Sequence, residues 1–70
     1  MTIGENIKAY LVEKGIKQTF VARQSGIPDS TISEILNKGR RIDILEYWKI
    51  CTALSVPLEY FLPSESQGAV

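Results

Sequence analysis

Apolar residues recur along this chain at helical spacing, and the places where that spacing breaks divide it into five segments. Ile3, Ile7 and Leu11, with Tyr10 beside them, make a stripe that stops at Gly15. Thr2 and Glu5, three positions apart, set a capping-box pattern at its start. The first helix is therefore predicted from roughly Ile3 to Lys14. A second begins near Gln18 and ends by Ser25, and a third covers about Asp29 to Asn37. Lys38-Gly39-Arg40-Arg41 interrupts the pattern. Asp43 and Glu46 then repeat the capping-box spacing ahead of an apolar face of Ile44, Tyr47, Trp48, Cys51 and Leu54, which predicts a fourth helix over about Ile44 to Leu54. Pro57 suits the start of a last short helix, Leu58 to Leu62, and Pro63 ends it. The fold class is all-α, a compact bundle of five helices.

The segment from Gln18 to Asn37, QTFVARQSGIPDSTISEILN, has the residue grammar of two helices meeting at a tight turn. Val21, Ile27, Ile32 and Ile35 face inward, Ala22 is small enough for the two helices to cross closely, and Gly26 stands where a positive φ is needed. The second helix of the pair presents Asp29, Ser30, Ser33 and Glu34 outward. A helix-turn-helix of this kind lays its second helix in a DNA major groove.

Seventy residues make one domain, placed here at 1–63, with the polar SESQGAV of 64–70 as a frayed tail. A hydrophobic content of 44% with 23% charged residues belongs to a globular chain rather than a disordered one. The formal net charge is zero, but it is unevenly distributed. From Lys17 to Arg41, five basic residues face two acidic ones, and the rest of the chain carries the compensating negative excess. The positive part thus coincides with the two-helix motif.

Cys51 is the single cysteine and there is no histidine, so neither an intrachain disulfide nor the usual Cys/His zinc site can be assembled; Cys51 is expected in the core. No apolar run approaches ~18 residues and no signal-peptide core is evident, which predicts a soluble, cytoplasmic protein with no membrane contact. No cofactor or small-molecule ligand is indicated, and without histidine, metal cluster or glycine-rich phosphate loop the chain is not read as an enzyme. Tyr10, Trp48 and Phe61 are expected to pack inward. Phe20 stands at the edge of the second helix, where it either folds back onto the domain or belongs to a partner surface.

From about Ile3 to Leu62 the chain resembles the helix-turn-helix domain of phage repressor and Cro proteins, the XRE-like class of bacterial regulators. IGENIKAYLVEKGIKQ, VA, SGIP, STISEIL and WKICTALSVPLEYFL carry the likeness through their ordered spacing. The resemblance implies five helices and operator binding, usually as a dimer, without catalysis or cofactor. It places Asp29, Ser30, Ser33 and Glu34 at base edges of double-stranded DNA, with Thr31 a neighbouring candidate, and Gln18, Arg40 and Arg41 on phosphates; Lys38, in the same basic loop, is a further phosphate candidate by its charge and place. Lys17 stands where the family commonly has a capping Ser or Thr, so the second helix loses a cap while Lys17 gains a phosphate to meet. Ser25 replaces an apolar residue before the turn glycine, and Gly39 comes one residue later than usual, lengthening the loop that carries Arg40 and Arg41.

The reading face has no Arg, Lys, Gln or Asn before Asn37, so the bidentate contacts most used for guanine and adenine are missing from the helix itself. Asp29 either reads a base or caps the third helix, and Glu34 either reads a base, is a solvated surface charge, or pairs with Arg23 or Lys38. Two functions follow. One is sequence-specific DNA binding by a small transcriptional regulator. The other is a protein-interaction module on the same fold, of an antirepressor or antitoxin-like kind, which the neutral total charge and the acidic reading face keep open. A homodimer is expected through the C-terminal part, where Tyr60, Phe61 and Leu62 offer more apolar surface than one short helix can bury.

Overall fold

The computed structural model describes residues 2–62, and the predicted stop at Pro63 and the tail at 64–70 lie outside them. Among the described residues there are four α-helices: α1 Ile3–Lys14, α2 Gln18–Ser25, α3 Asp29–Asn37 and α4 Ile44–Leu54. Both capping boxes form. Thr2 Oγ1 accepts from the Glu5 N–H at 3.1 Å while Glu5 Oε1 accepts from the Thr2 N–H at 2.8 Å, and Asp43 and Glu46 exchange the same bonds at 2.7 and 3.1 Å. These satisfy N–H groups that have no partner inside the helix.

The fifth segment is a single 3-10 turn, Leu58–Phe61, rather than an α-helix reaching Leu62. It starts after Pro57 and is held by three-residue backbone bonds, Tyr60 N–H to Pro57 and Leu62 N–H to Glu59. Pro63 has no N–H with which to extend the ladder, and a piece this short is the usual length of a 3-10 turn.

α2 packs against α3 and α4, α1 against α3, and the 3-10 turn against α1 and α4. Ile7, Val21, Ile32, Ile35, Ile50 and Cys51 are the most deeply buried side chains where these faces converge. Each of the aliphatic ones contributes about 1.5–3 kcal/mol by leaving water. Tyr10 and Phe61 meet edge to face at 5.5 Å, tying α1 to the 3-10 turn.

On α4 the inward face differs from the predicted one. Tyr47, Ile50 and Cys51 are buried, whereas Ile44 is 77% and Trp48 51% exposed. Tyr47 occupies the inward direction, so Trp48, about 100° further round, falls at the edge of the face. Ile50, not anticipated, takes the core position one turn on from Tyr47. The Tyr47 hydroxyl donates to the Leu58 carbonyl, anchoring the 3-10 turn on α4. Burial pushes the Tyr47 phenol up to about 12, helped by its hydrogen bond with Cys51. Burial likewise raises the Cys51 thiol, with the Tyr47 bond opposing it.

Candidate nucleic-acid interface

The turn between α2 and α3 forms as its residues require. Gly26 has φ +77°, and its N–H closes on the Ala22 carbonyl at 2.9 Å. Ser25 substitutes polar bonds for the packing an apolar residue would give. Its hydroxyl donates to the Ala22 carbonyl and accepts from the Ile27 N–H, both at 3.3 Å. Ala22 and Val21 are buried at the helix crossing, and Phe20 stays about half-exposed beside them.

α3 is amphipathic in the expected sense: Ile32, Ile35 and Leu36 point inward while Asp29, Ser30 and Glu34 are exposed and Thr31 and Ser33 half-buried. Asp29 does not cap the helix. Pro28 holds the N-cap position, no side chain bonds there, and Asp29 is the first helical residue. Its carboxylate therefore lies outward in the first turn, where the helix dipole favours negative charge.

A polar bridge links the two helices of the motif. The Asn37 amide donates at 3.4 Å to Gln18 Oε1 and at 3.4 Å to Ser33 Oγ, joining the start of α2 to the end of α3. Only the Ser33–Asn37 half, a four-residue helical spacing, could have been found in the sequence. Lys17, with extended backbone ahead of α2, has no side-chain capping bond, as its residue type demands.

Glu34 pairs with Arg40, not with Arg23 or Lys38: Nη1 lies 3.0 Å from Oε1. The reversal at Gly39, φ +70°, turns the loop back so that the Glu34 carbonyl accepts from the Lys38 N–H at 3.0 Å and the Arg40 N–H at 3.1 Å. Lys17, Lys38 and Arg41 are exposed and form no ion pair with a described residue.

A bundle of short helices whose second and third members cross at a glycine turn, with the third offering a polar outer face, is a helix-turn-helix module. The helix-turn-helix family model matches residues 7–61, and the chain belongs to this XRE-like family of DNA-binding regulators, which are not enzymes. No curated protein and no solved structure matches it. Among the described residues no helix is long and apolar enough to cross a membrane.

Proposed function

We propose that this protein is a sequence-specific transcriptional regulator that lays α3 in the major groove of a two-fold operator and binds it as a homodimer. The observation that carries the reading is the Gln18–Asn37 bridge, which puts the start of α2 and the outer face of α3 on one continuous polar surface. In this reading Asp29, Ser30, Thr31 and Ser33 face base edges, and Glu34 stands on the same face paired with Arg40. Lys17 and Gln18 on one side, and Lys38 and Arg41 on the other, meet the flanking phosphates. The net positive segment from Lys17 to Arg41 supplies the attraction that the neutral whole chain lacks.

The dimer surface is the apolar area around α4 and the 3-10 turn. Phe61, expected on this surface, is buried, whereas the exposed Ile44, Leu58 and Leu62 line an apolar groove with Ile3, Ile42 and Tyr47, and Leu45 and Trp48 are exposed elsewhere on α4. One module this small contacts too little DNA for tight binding, and a two-fold pair doubles the contact. The same exposed side chains favour the second reading, a module that binds another protein.

Selection of bound duplexes from a random pool, followed by titration of the winner at several salt concentrations, tests the function. A palindromic consensus with a linear log–log salt slope is expected. Absence of duplex binding at low salt would turn the assignment to the protein-interaction module.

A further inference from the structure

We propose that Arg40 is a base-reading residue which takes a guanine edge in the major groove, and that Glu34 is the positioning residue that aims it. The assignment rests on the duplex-reading function. The family resemblance puts Arg40 beyond the recognition helix, on a phosphate. The fold moves it. The Glu34 carbonyl accepts the Arg40 N–H and the Glu34 carboxylate holds Arg40 Nη1, so main chain and side chain of the arginine are both fastened to one residue of α3. Glu34 lies one turn on from Ser30 along the outward side of the helix. A guanidinium fastened to Glu34 is therefore carried on the reading face, whereas Arg41, one residue later, has no such tie to α3.

The side chains of the pair are 45% and 49% exposed, and an ion pair so open to water adds little to stability. Its effect is geometric. A long arginine loses rotamer freedom when it docks, and a brace that restricts it beforehand reduces that loss. Nη1 is engaged by one carboxylate oxygen, and the other N–H donors of the planar fork bond to no described residue, which leaves them for guanine O6 and N7. Nothing else on the face offers this chemistry: Asp29 is acceptor-only, Ser30 and Ser33 tolerate many bases, and the Asn37 amide is occupied by Gln18 and Ser33. The pairing also neutralises a carboxylate that would otherwise repel the phosphates on either side.

The test compares the wild type with Arg40→Lys, Arg40→Ala and Glu34→Ala on the selected duplex, with each base placed in turn at every guanine position and with 7-deazaguanine, which lacks the N7 acceptor. We expect one guanine per half-site whose preference falls about tenfold or more in Arg40→Lys, although the charge is kept. Glu34→Ala should weaken preference at that same position and no other, and melting temperatures should stay near the wild type. Placing 7-deazaguanine there should weaken the wild type and leave Arg40→Ala unchanged. Uniform loss on every duplex in Arg40→Ala, with base preferences intact, would make Arg40 a phosphate contact and overturn the assignment, as would wild-type preferences in Glu34→Ala for the positioning role. A wild type that binds no duplex would overturn the duplex-reading function itself, an outcome distinct from a consensus that is selected but indifferent to Arg40.

Discussion

Gly4, in the first turn of α1, lies directly against the main-chain carbonyl of Ile35 in α3, where an added Cβ would overlap the oxygen. The contact sets how closely the first helix approaches the recognition helix, and so how Ile7 and Ile35 share one core. Two effects oppose each other in Gly4→Ala. Helix propensity favours alanine by about 1 kcal/mol, whereas overpacking costs about 1–3 kcal/mol and a backbone oxygen cannot rotate away as a side chain would. The clash wins. A drop of several degrees in melting temperature is expected, and an unchanged or higher value would show that the helices are further apart.

Ile32 has no exposed surface and sits where α3 meets the remainder of the core. Ile32→Ala should cost about 2–5 kcal/mol, a large part of the stability of a domain this size. Urea unfolding of the variant reads the loss, and a midpoint equal to the wild type would mean that the register of α3 is wrong.

Alkaline pH should loosen the packing of the 3-10 turn on α4. The Tyr47 phenol is raised from 10.0 to about 12 in the fold, so below pH ~10 it is protonated in both states and its contribution is intact. Between ~10 and ~12 the unfolded chain releases that proton while the folded chain retains it, and stability falls. Cys51, raised from 9.0, acts in the same direction from a slightly lower pH. Unfolding free energy measured from pH 8 to 11 should decline. Tyr47→Phe should flatten the decline yet start lower, by about 1–3 kcal/mol, because the Leu58 carbonyl loses its donor.

The homodimer makes a different demand, on surface residues rather than core ones. Trp48→Glu and Ile44→Glu place charge in the exposed apolar area without touching buried positions. Sedimentation at micromolar concentration should show the wild type as a dimer and both variants as monomers, with helicity by circular dichroism unchanged. A wild type that is monomeric with and without DNA would remove the dimer from the proposal.

Lys38 and Arg41 are proposed to position rather than to read. Replacing either with Ala should weaken binding to specific and scrambled duplexes by similar factors and lower the salt slope by about one. A change in base preference instead would place that residue in the groove.

The helix limits of α1 to α4 were legible in the sequence because the interactions that set them are short-range. Thr2 with Glu5 and Asp43 with Glu46 each close a loop of three residues, and Gly26 needs only its own freedom at positive φ. The inward set Val21, Ile27, Ile32 and Ile35 was legible for a related reason, since a stripe at helical period shows which side is apolar.

What periodicity leaves open is where the centre of that stripe points, and here only packing against other helices decided. Trp48 and Ile50 both lie near the apolar side of α4, and contact with α2 and the 3-10 turn puts Ile50 inside and leaves Trp48 half-exposed. Gly4 carries no signal at helical period, because its essential neighbour is the Ile35 carbonyl, distant in sequence. Asp29 had the right residue type for a cap, yet Pro28 ahead of it already holds the N-cap position, so its side chain faces outward. Glu34 and Arg40 are only six residues apart, but a backbone reversal at Gly39 is needed to join them. Caps and periods depend on a few consecutive residues. Partners across a turn or between helices depend on the positions of whole elements, which are set only when the core closes.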